Sequence, residues 1–243
     1  IFMYFLAKFF QISPRLSYLI AVGTSICGAT AIVATAPVIK AKKAEVTYAI
    51  ANITIFGIIV MFLYPYLANY IFGGDLNSIG MFLGTSIHET AQVIAAGLIY
   101  EQHFKETIIL EIATITKLVR NAFLIIMIPL IAYYYNKTDS RKSYSIYKIF
   151  PLFVIGFLLM VIFRSSGDYF FKNYISIFHI EWWEFFIQNI IAVSGICLGI
   201  AMAALGVMTN IREIFNMGFR PFIVGLIAAI TVSFVSFISI SIF

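Results

Sequence analysis

Apolar residues dominate this chain in stretches long enough to cross a bilayer, separated by short polar loops. The stretches fall at about 16–36, 46–70, 78–100, 107–135, 147–164, 182–209 and 219–243. A spanning helix needs roughly 20 such residues, so the pattern predicts a helical bundle. Three segments depart from it: 23–37, 84–97 and 194–210 carry Gly, Ser, Thr, Cys or His where lipid-facing helices carry Leu and Ile. Irregular backbone at membrane depth survives only where protein or a water-filled cavity covers it. These three segments are therefore the expected helix breaks, and interrupted helices point to the binding site of a transporter. Close packing through small residues accounts for the glycines, but not for the Thr, Ser, His, Glu and Gln.

Composition agrees with the pattern. Hydrophobic residues make up 62% of the 243 and charged ones 11%, less than half the share of about 25% in soluble domains. The mean hydropathy is +0.99. The expected fold is an all-α integral membrane protein, a polytopic bundle of broken or crossing helices in a single domain over 1–243. Ile1 opens inside an apolar run, which leads to the expectation that about three N-terminal membrane segments precede this chain. Cys27 and Cys197 both lie in apolar stretches and are expected to be free packing thiols.

The net charge of +5 sits in loops, where it sets topology and does not imply a nucleic-acid partner. Basic residues gather at Lys40, Lys42 and Lys43, at Lys137, Arg141, Lys142 and Lys148, and at Arg212 and Arg220. Strict alternation cannot put all three groups on one side. A segment that enters and leaves by the same face would remove the conflict, and 78–100 is the candidate. The alternative is that all seven segments span.

Two segments also repeat. GTSICGATAIVATA at 23–36 is echoed by GTSIHETAQVIAAG at 84–97, and IANIT at 50–54 by IATIT at 112–116. Matches in the same order at nearly equal offsets, 61 and 62 residues, indicate an internal duplication. It is parallel if each unit has two crossings and inverted if one segment is re-entrant. A weaker third echo is GICLGIAMAA at 195–204.

The second copy spends residues that the first does not. On a continuous helix His88 and Gln92 share one face, and Thr85 and Glu89 the next. Ionisable residues within a membrane are functional by default, although His88 and Glu89 could instead satisfy backbone groups at the break. HETAQ lacks the second His of the zinc motif HExxH, so no metal site is expected. The uncharged run 121–135 covers roughly 22 Å of helix, short of a core of about 30 Å. Lys117 and Arg120 must then enter the membrane, facing one way. Snorkelling suits Arg120 better than Lys117. Two cations converging with broken-helix N-termini would make an anion site.

GTSICGATAIVATAPVIKA at 23–41, IANITIFGIIVMFLYP at 50–65, GTSIHETAQVIAAG at 84–97 and ATITKLVRN at 113–121 carry a family resemblance. FPLFVIGFL at 150–158 and MAALGVMTNIREIFNMGFRPFIVG at 202–225 extend it. Through them the chain resembles the YeiH-type family of bacterial inner-membrane proteins, whose working label is export of sulfate, sulfite or related sulfonates. Its members are longer at the N-terminus and are similar at fold level to sodium/proton antiporters and bile-acid transporters. That similarity implies inverted repeats and would pair 16–36 with 182–209 as crossing helices, whereas the GTSI echo pairs 23–36 with 84–97.

The resulting expectation is a multi-pass inner-membrane secondary transporter for a small inorganic or organosulfur anion. It would use an ion gradient and no cofactor, and a homo-oligomer is compatible with it. Thr24, Ser25, Cys27, Gly28, Thr85, Ser86, Gln92, Lys117 and Arg120 would bind substrate. His88 and Glu89 would couple protons, since His titrates near neutral pH. The rivals are a cation/proton antiporter with Glu89 as carrier, an intramembrane hydrolase, and a membrane scaffold without transport.

Overall fold

The computed structural model describes residues 2–138, 152–174, 177–208 and 218–242, which are helical with no strand among them. Arg141, Lys142, Lys148 and Arg212 lie outside the described residues. The chain forms two compact units, Ile1–Phe150 with Asn210–Phe243, and Pro151–Thr209. The larger contains α1 (Phe2–Phe9), α2 (Pro14–Ser25), α3 (Ala29–Thr35), α4 (Lys43–Ile71), α5 (Leu76–Ser86), α6 (Thr90–Phe104), α7 (Ile108–Ala122), α8 (Leu124–Thr138) and α11 (Arg220–Ile242). The smaller contains α9 (Leu152–Tyr174) and α10 (Ile177–Met208).

By length and apolarity, Lys43–Ile71, Ile108–Ile131 and Arg220–Ile242 can cross a membrane. The paired short helices α2–α3 and α5–α6 instead form two hairpins. Ser13 caps α2, accepting from the Leu16 amide at 3.1 Å, with Pro14 in the first turn. The Ser13 hydroxyl also donates to Glu45 Oε1 at 2.5 Å, so α2 and α4 start at the same end. Deeper in, Gly23 lies against both Ile53 of α4 and Ile32 of α3. Ile32 can reach Gly23 only if α3 folds back along α2. The turns over 36–41 are compact, and the few residues from Thr35 to Lys43 cannot return from the far side of a membrane.

The second hairpin has the opposite sense. Asp75 caps α5, accepting from the Ser78 hydroxyl at 2.5 Å and its amide at 3.3 Å. The Ser78 hydroxyl, then the amides of Ser78 and Asn77, hold the Asp75 carboxyl below the usual carboxylate range. The cap is accordingly strongest above the ordinary Asp pKa and fades as pH falls through the lowered one. Along α7, Gly80 meets Ile112 and Gly84 meets Ala113 and Thr116, so α5 runs parallel to α7. Gly97 meets Leu110, and Asn121 Nδ2 donates to Thr90 Oγ1 at 3.2 Å, so α6 runs antiparallel to it. The far end of α6 returns to the end of α4, with the Tyr100 hydroxyl donating to Asn69 at 2.7 Å and Tyr66 against His103.

Each copy of the repeat is thus one re-entrant hairpin followed by one crossing helix: α2–α3 with α4, then α5–α6 with α7–α8. The duplication is inverted, and 78–100 is re-entrant, as is 16–36. Helix α8 ends beside the start of α2, where Arg15 Nε donates to the Tyr135 hydroxyl at 3.1 Å and Tyr18 packs on Tyr135. Helix α11 runs alongside α4, with Asn52 donating to the Pro221 carbonyl at 3.1 Å, Tyr64 bonded to Ser233 at 2.6 Å and Phe72 against Phe237. Arg15, Lys40, Lys42, Lys43 and Arg220 therefore share one end of the bundle, and Asp75, Glu101 and Glu106 lie at the other. The positive-inside bias assigns the basic end to the cytoplasm. A membrane-impermeant maleimide is expected to label Lys42→Cys in inverted vesicles and Asp75→Cys in intact cells. Labelling of both from one side would contradict the hairpin count.

Within the smaller unit, Trp183 stacks on Phe171 at 5.0 Å, lies over Gly167 and donates to Asp168 at 2.7 Å. Two expectations fail here. Helix α10 is unbroken through 195–204, so the third echo is not a helix break and the structural pairing is the GTSI one. Cys197 is also free but exposed on α10, while Cys27 is buried. A methyl added at Gly195 or Gly199 would meet open space, so these glycines serve no close approach of another described element.

Candidate functional site

The two hairpin tips, 26–28 and 87–89, approach one another deep in the bundle from opposite ends. Threonine hydroxyls at equivalent positions shape the turns before them. Thr24 Oγ1 donates to the Ile20 carbonyl at 2.8 Å, and Thr85 Oγ1 to the Met81 carbonyl at 2.6 Å. Such back-bonding loosens the last helical turn. Ile26 then leaves helical geometry at φ −127°, ψ −90°, and Gly28 takes φ +66°, ψ −126°. In the second copy Ile87 and Glu89 are extended.

The breaks leave carbonyl groups without helical partners, and α7 supplies donors. Lys117 is fully buried. Its Nζ donates to the Ile26 carbonyl at 3.0 Å and the Ile87 carbonyl at 2.7 Å. These are the fourth residues of the two GTSI copies, so one ammonium clamps equivalent positions in both hairpins. One turn on, Arg120 does the same with a planar fork. Its Nε donates to the Ser25 carbonyl at 2.9 Å, Nη2 to the Thr24 carbonyl, and Nη1 to the carbonyls of Thr85 and, at 3.3 Å, Ile87. Arg120 does not snorkel; it turns inward. Cations at helix C-termini also offset the dipoles of α2 and α5.

Glu89 completes the junction. It opens α6, but its carboxylate does not cap its own helix. It crosses to the other tip, accepting from the Ala29 amide at the start of α3 and lying over Gly28. A methyl group on Gly28 would overlap Glu89 Oε1. The residue at the position equivalent to Glu89 is Gly28 itself: one copy supplies the carboxylate and the other the space for it.

Buried polar groups remain beside this junction. Both ring nitrogens of His88 and the hydroxyl of Ser86 have no hydrogen-bond partner, although His88 is 1% exposed and Ser86 fully buried. Gln92 donates to the Thr54 carbonyl at 3.3 Å and rests against Gly57, leaving Oε1 without a partner.

The structure brings Thr24, Ser25, Cys27, Gly28, Thr85, Ser86, His88, Glu89, Lys117 and Arg120 to the two tips. Gln92 faces α4 instead. The shared faces expected for His88 with Gln92 and for Thr85 with Glu89 are not formed, because the break at 87–89 interrupts the helix that the spacing assumes. Thr85 pairs instead with Ser236 of α11. Asn52, Gly57, Ser236 and Asn121 were not singled out from the sequence. Asn52 was legible as the one polar side chain inside IAN of the repeated IANIT, and Asn121 as the neighbour of Arg120.

A family model described as conserved hypothetical protein 698 matches residues 1–225. A UPF0324 membrane protein of Fusobacterium nucleatum is 33% identical over 242 residues, covering 97% of this chain and 69% of its own length. One of Clostridium tetani is 32% identical over 251 residues, covering 97% and 67%. The UPF0324 inner membrane protein YeiH of Escherichia coli is 32% identical over 224 residues, covering 90% and 58%. The chain thus spans between 58% and 69% of the length of these relatives. No solved structure matches it.

Proposed function

The chain belongs to this UPF0324 family of membrane proteins, and we propose that it forms the core of a secondary transporter for a small anion. One observation carries the reading: half-helices entering from opposite ends meet deep in the bundle around Lys117, Arg120 and Glu89, with unpartnered polar groups at the junction. Ionisable side chains at membrane depth are costly and mark substrate or ion pathways. Inverted repeats with discontinuous helices supply the two related halves that alternating access requires. The unpartnered Ser86 hydroxyl and His88 ring suit a ligand of several acceptor oxygens, and an imidazole and a carboxylate on the same hairpin tip suit proton exchange.

In this reading His88 and Ser86 offer free hydrogen-bonding atoms to substrate. Thr24, Ser25, Cys27, Gly28 and Thr85 form the walls, and Glu89 and His88 exchange a proton during the cycle. Gln92 ties α6 to α4. Sulfur oxyanions are the first class to test. Flux of sulfite, sulfate and alkyl sulfonates into proteoliposomes of the whole protein checks the proposal. Movement of cations alone, or of none of these solutes, would overturn it.

His88→Ala is expected to reduce flux at least ten-fold while the protein stays folded and monodisperse, because neither ring nitrogen holds a partner in place. A folded variant with full flux between pH 5 and 8 would remove His88 from the cycle.

A further inference from the structure

The charge gathered at the tips can be counted. With Glu89 ionised, the form taken here to bind substrate, Lys117 and Arg120 contribute two positive charges and Glu89 one negative. Cys27 and His88 contribute none as a thiol and a neutral imidazole. The half-helix ends meet in opposite pairs. The C-termini of α2 and α5 and the N-terminus of α6 bring partial charges of opposite sign. The formal charge of the side chains is +1. Glu45 is the other buried carboxylate among the described residues. It lies at the basic end of the bundle, held by Ser13 and the Lys42 amide at 2.5 and 2.8 Å, and does not alter the count.

We propose that this junction selects a monovalent oxyanion over a divalent one. The inference rests on the transport reading above and narrows its substrate class. A buried charge without a partner is strongly disfavoured. A monoanion brings the junction to neutrality, whereas sulfate leaves one negative charge uncompensated.

The donors place the ligand as well. Lys117 and Arg120 direct their hydrogen bonds at six carbonyl contacts on the two tips. They are positioning residues that supply charge. The groups with no protein partner at all are Ser86 Oγ and the His88 ring; the first turn of α6, which has no side-chain cap, and the N–H groups of Lys117 and Arg120 beyond those six contacts add to them.

Methanesulfonate and sulfate are suitable probes, since both present tetrahedral sulfur and differ in charge. In proteoliposomes of the whole protein at pH 7 and constant ionic strength, methanesulfonate is expected to be transported at least ten-fold faster than sulfate. It should also raise the melting temperature more than sulfate does, because a ligand stabilises the state that binds it. Glu89→Gln keeps an oxygen that can accept from the Ala29 amide but raises the count to +2. Because this variant also lacks the proton-exchanging carboxylate, it is read by binding: the ratio of the concentrations of sulfate and methanesulfonate that give equal thermal shifts is expected to move toward sulfate by ten-fold or more. Faster sulfate transport by the parent, or an unchanged preference in Glu89→Gln, would overturn the charge count and leave transport standing. Absence of flux for sulfite, sulfate and methanesulfonate alike would instead overturn the transport reading. Should Glu89→Gln fail to fold, the parent's flux ratio and thermal shifts decide the matter alone.

Discussion

Lys117→Met is expected to abolish flux and to produce the largest loss of thermal stability of any single substitution in the bundle. Removing a buried ammonium relieves its own desolvation, and exchanging buried ions for apolar groups can be neutral when every partner is replaced too. Here the partners are backbone carbonyls, which no substitution can remove. The Ile26 and Ile87 carbonyls would face a dry interior at roughly 1–3 kcal/mol each, or about 2–6 kcal/mol together. Lys117→Gln retains an amide donor for one of them and should lose less. Thermal unfolding of the purified protein, read beside flux, checks the order. A Lys117→Met protein that melts with the parent would show that water or rearranged backbone takes over the clamp.

Gly28→Ala is the second large effect. The backbone at φ +66°, ψ −126° lies outside the regions open to residues with a Cβ, at a cost of order 1–3 kcal/mol. The added methyl also displaces the Glu89 carboxylate from the Ala29 amide, so a carboxylate and a helix N-terminus lose one another at the junction. Gly73→Ala is the reference for a positive φ without a neighbouring contact. It has φ +58° and open space around the new methyl, so it bears only backbone strain. Gly28→Ala should lose flux and clearly more stability than Gly73→Ala. Equal losses would mean that the contact with Glu89 contributes nothing.

Much of this arrangement is legible in the residues, for physical reasons that can be named. The GTSI echo is visible because each copy solves the same local problem: a threonine that loosens the last turn and a glycine that admits the neighbouring helix. The re-entrant path is less visible, since a half-helix that turns back has the same apolar content as one that continues. Two signals mark it: Lys- and Arg-rich loops that strict alternation cannot place on one side, and the polar centre of 84–97. The partners of Lys117 and Arg120 are hidden for a simpler reason. They are carbonyl oxygens, which every residue carries and no letter marks. The His88–Gln92 pairing fails because spacing rules presuppose one continuous helix. The glycines of α10 resemble those of the tips but lack the threonines and the charged neighbours, and the helix runs through them.

The Lys117 clamp also sets an order of events at the ribosome. Ile26 leaves the tunnel 91 residues ahead of the lysine that receives its carbonyl. At translation rates of about 5–20 residues per second the interval is roughly 5–18 s. During it the first hairpin has entered the translocon without the group that closes its tip. Its broken turn must stay in contact with water or the insertion machinery until the second copy arrives, so the first hairpin is committed to the membrane only when the last crossing helix of the duplication is made.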